Sequence, residues 1–326
     1  MELIPDDIDL SSYMDEPDFR AKVRSAADFR AEVKAALKPP EQAIQHPEIL
    51  IPKARNTIAF RPGEVTAWVG YNGHRKSMFT SQVALDMAVQ GERVLIVSLE
   101  MAPKDTMNRM ARQATGVAHP SDGLTDRFLD WTDGKLWLFD HIGTISVDHA
   151  FALCRYFRDQ HQGTHVFLDS MMMICTSEES LDEQKRFSTG VLRLALETGL
   201  HVHVVTHCKK PHNEDDSKVP GRYSIRGSSA ISDQAHNTIA VWMNKAKYAA
   251  LEQNPNDNAA HNEPCAVVKC DKQRNGKWEG KLQLWNDGRS LRFCEDRISE
   301  VRPYAFLTEP FPHHPAQARA HFGSQP

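Results

Sequence analysis

RPGEVTAWVGYNGHRKSMF, residues 61–79, sets a short apolar strand (65–69) directly before a glycine-bearing turn and the pair Lys76-Ser77, where a helix-forming stretch begins. Strand, tight turn, Lys-Ser and helix is the layout of a phosphate-binding loop. Backbone N–H groups of the turn and the positive end of the helix dipole surround a polyphosphate. The Lys76 ammonium would reach the outer phosphates and the Ser77 hydroxyl would hold magnesium. The candidate nucleotide contacts are Gly70, Asn72, Gly73, His74, Arg75, Lys76, Ser77 and Met78. One position departs from G-x-x-x-x-G-K-[ST]: where glycine is expected at 75, the chain carries Arg75. A Cβ there costs about 1–3 kcal/mol only if the backbone needs a glycine-only conformation. Its guanidinium either points outward or touches phosphate itself.

Around that loop the composition is that of a soluble globular protein. A length of 326 residues allows one large α/β domain with appendages or two small domains. The formal net charge of −4 gives no global pull on nucleic acid, so any DNA contact must come from a local basic patch. Six cysteines are scattered with no C-x-x-C, which argues against a zinc ribbon and fits buried thiols in a reducing compartment. The acidic start MELIPDDIDLSS lacks the apolar core of a signal peptide, and no apolar run approaches a membrane span. A cytoplasmic location with no membrane association is expected.

Along the chain, residues 1–16 read as disordered. Residues 17–37 read as a helix carrying Phe19, Val23, Phe29, Val33 and Leu37, ended by Pro39-Pro40. That stripe packs on its own domain or on a neighbouring subunit. From residue 50 strands and helices alternate, predicting a parallel sheet covered by helices. Strands are expected at 93–99, ending at Glu100, and at 136–139. Further strands are expected at 165–169, ending at Asp169, and at 201–206 and 238–243. Helices are expected at 76–90, 103–114, 147–159 and 181–197, with a short one ending near His236. Residues 116–135 read as loop and 246–263 as a mobile polar stretch. Residues 266–270 and 281–285 read as an antiparallel hairpin around Asn275-Gly276. The tail from 305 reads as disordered. The domain reading is 1–49 as N-terminal tail and linker or oligomerisation helix, 50–304 as the core domain, and 305–326 as tail.

Strand ends in open α/β sheets line the ligand crevice. An aspartate there, Asp169, can hold magnesium directly or through water. Glu100 beside the same crevice can accept a proton or orient water; the plainer reading is a cap for the next helix.

Taken in order, GYNGHRKS (70–77), VSLEM (97–101), VFLDS (166–170), THCKKP (206–211), RGSSAI (226–231) and KQRNGKWEG (272–280) resemble the RecA-like core of DnaB-type ring helicases. The resemblance is closer to the phage helicase–primase and mitochondrial Twinkle branch, without a primase, and covers about residues 50–295. It implies a RecA-like P-loop NTPase fold: a mostly parallel sheet flanked by helices, with C-terminal antiparallel hairpin strands. It implies ATP and Mg2+ at Lys76 and Ser77, with Asp169 as the magnesium-side carboxylate and Glu100 as the residue that polarises water. It implies that His207 senses the γ-phosphate, and that Lys209, Lys210, Arg222 and Arg226 meet single-stranded DNA. Lys272 and Arg274 would reach the nucleotide of a neighbouring subunit, Arg274 as an arginine finger. By themselves Lys209 and Lys210 also suit a solvated turn, since Glu214, Asp215 and Asp216 share their loop, and Arg274 also suits an ordinary hairpin turn. A homo-oligomer, a hexamer in this family, is implied, as is a primase or polymerase partner in phage- or plasmid-type replication. Two other readings stand beside it. One is a RecA-like DNA-binding ATPase of loader or recombinase type; the other is a nucleotide-binding scaffold whose hydrolysis Arg75 impairs.

Overall fold

Strand β2 (Val65–Gly70) is buried at every position and lies inside a 10-stranded sheet. The computed structural model describes residues 2–14, 25–39, 44–175, 181–209, 216–226 and 230–308. The sheet runs in the order β1 (Glu2–Pro5), β4 (Leu136–Asp140), β3 (Val94–Ser98), β5 (His165–Asp169), β6 (His201–His207), β2, β7 (Asn237–Met243), β8 (Ala266–Gln273), β9 (Gly280–Asp287) and β10 (Arg292–Cys294). From β1 to β7 every neighbouring pair is parallel, while β8, β9 and β10 are added antiparallel. The α/β expectation with a C-terminal hairpin is met.

The parallel strands read as apolar runs because both of their faces are covered. Alternate residues of β2 serve two cores: Trp68 on one face, Val65, Ala67 and Val69 on the other. The first core is closed by α3 (Lys76–Val89), α4 (Pro103–Thr115) and α5 (Asp122–Thr132), the second by α6 (Val147–His161), α7 (Met171–Ile174), α8 (Leu181–Thr198) and α9 (Ala230–Gln234). Each fully buried leucine, isoleucine or phenylalanine in these layers contributes about 1.5–3 kcal/mol.

Beneath the first core lies a polar chain that the strand reading of 201–206 did not anticipate. Trp68 Nε1 donates to His203 Nδ1 at 3.2 Å, so the ring proton of His203 sits on Nε2, 3.1 Å from His165 Nδ1. His165 Nε2 in turn faces Glu92 at 3.7 Å. His201 accepts from Thr66 Oγ1 at 2.8 Å and donates from Nδ1 to Arg61 O at 2.7 Å. Every imidazole is thereby held in one neutral tautomer.

Four expectations differ from the structure. Residues 1–16 are not wholly disordered: Glu2–Pro5 pairs with β4, and α1 (Ser11–Met14) follows, because Ile4 and Leu10 bury their side chains in the second core. Within 116–135 the chain forms α5, capped by Ser121, with Phe128 and Trp131 one turn apart on its buried side. Residues 246–263 contain α10 (Lys245–Gln253), capped by Asn244, and α11 (Asn258–Asn262), capped by Asp257. At the other end of the chain, residues 305–308 form α12 (Ala305–Thr308), whose Phe306 stacks on Trp131 at 3.7 Å, while 309–326 lie outside the described residues. Of the 17–37 helix, residues 17–24 also lie outside them. The rest is a 3₁₀ turn, Ala26–Phe29, followed by α2 (Arg30–Ala36), with Phe29, Val33 and Leu37 exposed. No helix among the described residues is long and apolar enough to cross a membrane.

The topology sets the site. Parallel pairing registers Ser98 with Asp169, Asp169 with Val205, and Gly70 with His207. The C-terminal ends of β2, β3, β5 and β6 therefore open on one edge of the sheet, where α/β ligands bind.

Candidate functional site

At that edge β2 ends in Gly70, where a Cβ would stand 2.5 Å from Val241 O and 3.1 Å from the Lys76 stem. A side chain cannot enter without moving backbone. The turn passes through Gly73 at φ +76 and reaches Arg75, the N-cap of α3, at φ 54 and ψ 31. Position 75 thus takes the left-handed conformation that glycine adopts most easily, and the arginine there carries a penalty of about 1–2 kcal/mol. Its guanidinium turns outward: Nη1 donates to Asn286 Oδ1 at 2.7 Å, and its central carbon lies 5.2 Å from the Tyr248 ring centre.

Lys76 Nζ donates to Gly70 O at 3.0 Å, Tyr71 O at 3.0 Å and His207 Nδ1 at 3.2 Å. Burial pulls its ammonium below the usual lysine range, with Asp169 acting in the opposite direction. Since His207 accepts at Nδ1, its proton is on Nε2, which faces Glu100 Oε1 at 3.7 Å. The other donor to Glu100 is Ser170 Oγ at 2.7 Å. His207 first, then Ser170 and Lys76, outweigh partial burial and hold the Glu100 carboxyl down at about 2. At 3.7 Å the His207 contact is longer than a hydrogen bond; its pull is electrostatic, and Ser170 makes the direct bond. A carboxylate this acidic is a weak proton acceptor near neutral pH, and it is better suited to orienting and polarising water. Glu100 does not cap the next helix, because α4 starts from Ala102 with Pro103 in its first turn and no side-chain cap.

Burial pushes Asp169 above the usual carboxylate range, and a hydrogen bond from Ser77 draws it back. Ser77, Asp169, Thr106 and Arg109 line a small cavity of 20 Å³ on this side. The sequence reading gave no role to the Arg109 cation or the Ser170 donor; Ser170 directly follows the end of β5, whereas Arg109 lies within α4 and carried no local signal. The hydroxyl of Ser77 and the carboxylate of Asp169 are hard oxygen donors, and a divalent cation would relieve the burial of Asp169. This donor set fits Mg2+, which keeps phosphate and water in its remaining positions.

Other expected residues fall elsewhere. Met78 has its side chain in the first core, and His74 turns its fully buried ring inward, so both offer the loop only backbone. Lys272 and Arg274 sit at the far end of β8, which registers Gln273 with Asn237 at the start of β7, across the sheet from Lys76. Lys272 Nζ is bound to Ser232 O and Asp233 O, and Arg274 is exposed. Neither can reach the phosphate loop of its own chain.

The loop after β6 begins beside the phosphate loop, with Cys208 N donating to Gly70 O at 3.0 Å. Its stem is closed by Lys209 N to Ser224 O and Arg226 N to His207 O, both 2.8 Å. Arg222 lies over the exposed ring of Tyr223. Lys210 lies outside the described residues. Next to Arg75, on the side of α10 and β9, opens a cavity of 1020 Å³ lined by Tyr248, Trp285, Asn286 and Arg289 among others.

Residues 40–213 match the family model described as "AAA domain". The chain belongs to the AAA domain family. Among solved structures, the fold of this AAA domain is similar to that titled "ATPase Domain of G40P". That match has a TM-score of 0.67 and 15% identity, covering 84% of this chain and 99% of that one. It is also similar to "The Structure Of A DnaB-Like Replicative Helicase And Its Interactions With Primase". There the TM-score is 0.68 and the identity 14%, covering 84% of this chain and 67% of that one. At these identities the likeness establishes the fold alone: a mostly parallel sheet flanked by helices, shared with both of these structures.

Proposed function

We propose that this AAA domain is an ATP-hydrolysing motor that forms a ring and moves along single-stranded DNA, as a helicase of phage- or plasmid-type replication. The observation that carries the reading is the connected set at one sheet edge: Lys76 on His207, His207 facing Glu100, and Ser77 and Asp169 lining one small cavity. A triphosphate entering the loop competes for the Lys76 donors now given to Gly70 O and Tyr71 O. Its outer phosphate then stands between Lys76 and the water that Glu100 orients. Ser77 and Asp169 would hold magnesium, which would supply charge neutralisation at the phosphates. The base and ribose extend past Arg75 into the 1020 Å³ cavity.

His207 shares a hydrogen bond with Lys76 and gives its backbone carbonyl to Arg226, so loss of the γ-phosphate alters the stem of the basic loop. Lys209, Lys210, Arg222 and Arg226 serve as contacts to the DNA backbone, which need charge and no base reading. Arg274, far from its own loop, acts on the neighbour's nucleotide. Such a finger is worth about 10³–10⁵ in rate, and a head-to-tail contact of this kind closes into a ring. The motor is the 50–304 core together with the first strand and α12 that pack on it, and the 17–37 stretch is a clasp to the next subunit. The setting is cytoplasmic, with primase or polymerase as partner.

The test is ATP hydrolysis with and without a single-stranded oligonucleotide, with Arg75→Gly beside the chain as given, followed by strand displacement and native mass. DNA-stimulated hydrolysis by the given chain supports the motor. Activity only in Arg75→Gly assigns the chain to a nucleotide-binding scaffold. Hydrolysis by a chain that displaces no strand makes it a DNA-binding ATPase of loader type.

A further inference from the structure

His74 and Asp216 belong to different loops and stand 142 residues apart, yet His74 Nε2 lies 2.9 Å from Asp216 Oδ2. The His74 ring is fully buried, and its Nδ1 accepts from Met243 N at 3.1 Å at the end of β7. The ring proton is therefore on Nε2, and it is donated to the aspartate. Asp216 is held from the other side as well. Its backbone oxygen accepts from Trp242 Nε1 at 2.7 Å, and Lys245 Nζ donates to the same Oδ2. Asp216 is part of the loop that leaves β6, but it contributes nothing to that loop's stem, which is closed by Cys208, Lys209, Ser224 and Arg226. It ties the loop instead to the middle of the phosphate turn, between Gly73 and Arg75.

We propose that the His74–Asp216 hydrogen bond is a coupling arm: Asp216 is a positioning residue that transmits the state of the phosphate loop to the basic loop after β6, independently of His207. The inference rests on the proposed binding of nucleotide and single-stranded DNA. A phosphate drawn into the turn shifts the backbone at 73–75, and His74 cannot follow without either losing Met243 N or pulling on Asp216. A buried imidazole locked in one tautomer offers no alternative partner on that side. Asp216, the last of three consecutive acidic residues in a loop that also carries Lys209, Lys210 and Lys218, thus lies against the phosphate turn.

The experiment measures the affinity of the full chain for a fluorescent ADP analogue, with and without saturating oligo-dT, in the given chain and in Asp216→Ala, Asp216→Asn and Lys245→Ala. The ratio of the two affinities is the coupling factor. Coupling between sites typically spans about 5–150-fold, and a factor of about fivefold or more is expected in the given chain. Asp216→Ala should bring it to about 1, while affinity for the analogue alone stays within about threefold and far-UV circular dichroism is unchanged. Asp216→Asn, which keeps an acceptor for His74, should restore most of it. Lys245→Ala, which leaves the His74 bond in place, should leave it within about twofold. Asp216→Ala with undiminished coupling overturns the proposal, as does a given chain that binds both ligands with a factor of 1; each leaves the motor reading standing. A given chain that binds neither ligand overturns the motor reading and this inference with it.

Discussion

Arg75 offers a direct measurement of backbone strain. Its φ of 54 is the left-handed region, where a residue with a Cβ loses about 1–2 kcal/mol relative to glycine. Against that stand the exposed hydrogen bond to Asn286, worth about 0.5–1.5 kcal/mol, and the stack on Tyr248, worth about 0.5–1 kcal/mol. Arg75→Ala keeps the strained backbone and loses both contacts, so it should destabilise the fold by about 1–2 kcal/mol. Arg75→Gly loses the same contacts, relieves the strain, and adds about 0.5–1 kcal/mol of freedom to the unfolded chain. It should fall within about 1 kcal/mol of the parent and about 1 kcal/mol above the alanine variant. Urea unfolding followed by far-UV circular dichroism, with all three chains fitted to a common slope, reads the difference. An alanine variant as stable as the glycine variant would refute the left-handed assignment at 75, and with it the account of why glycine is the expected residue there.

Three further outcomes follow from the same geometry. Glu100→Gln should cut hydrolysis by about 10²–10⁴-fold while the Kd for ATP, measured by equilibrium binding, changes little. Because Glu100 is held at about 2, its own titration should leave no limb in the rate profile between pH 5 and 8. Acid should unfold the protein through His165, His201 and His203, all pulled below 6.5 by burial. Their contribution is complete above the unfolded value of 6.5 and is lost as pH falls below it, at up to about 1.4 kcal/mol per pH unit each. Asp86, raised to about 6 by burial, offsets one of the three below that pH, so urea midpoints that stay flat from pH 7.5 to 5.5 would contradict the buried-neutral arrangement. Tyr304→Phe removes the 2.7 Å donor to Asp86 and should cost about 1–3 kcal/mol. The loss should be larger at pH 8, where Asp86 is charged, than at pH 5; an equal loss would mean that the hydroxyl does not serve the carboxylate.

What could be read in the sequence follows from what is local. The phosphate loop, Glu100, Asp169 and His207 were legible because a strand end fixes where the next side chain stands, and parallel strands bring their ends together. The outward course of Arg75 was not, because its partner Asn286 lies 211 residues away. The same holds for the inward-facing His74. In His201-Val-His203-Val the alternation marked a strand correctly, yet hydropathy alone gave no reason to bury the histidines; Trp68 and Thr66 from the neighbouring strand supply it. Helices α5 and α10 were passed over because polar and glycine-bearing composition hid two or three well-spaced apolar side chains and a capping Ser121 or Asn244. The opening residues read as tail since only Ile4 and Leu10 are buried, and a four-residue strand has too short a period to declare itself.

That short strand also sets the margin of the sheet. A sheet ends in a row of N–H and C=O groups open to any passing strand. Here β4 would offer such a row if Glu2–Pro5 did not occupy it, and the opposite end finishes in the three residues of β10. With Leu10 seated in the second core a few residues beyond Pro5, the first strand is held at an effective concentration in about the millimolar range. It outcompetes an intruding strand long before another molecule arrives. The margin that remains is β1 itself, four residues long, and so short an edge offers an intruding strand few groups to pair with.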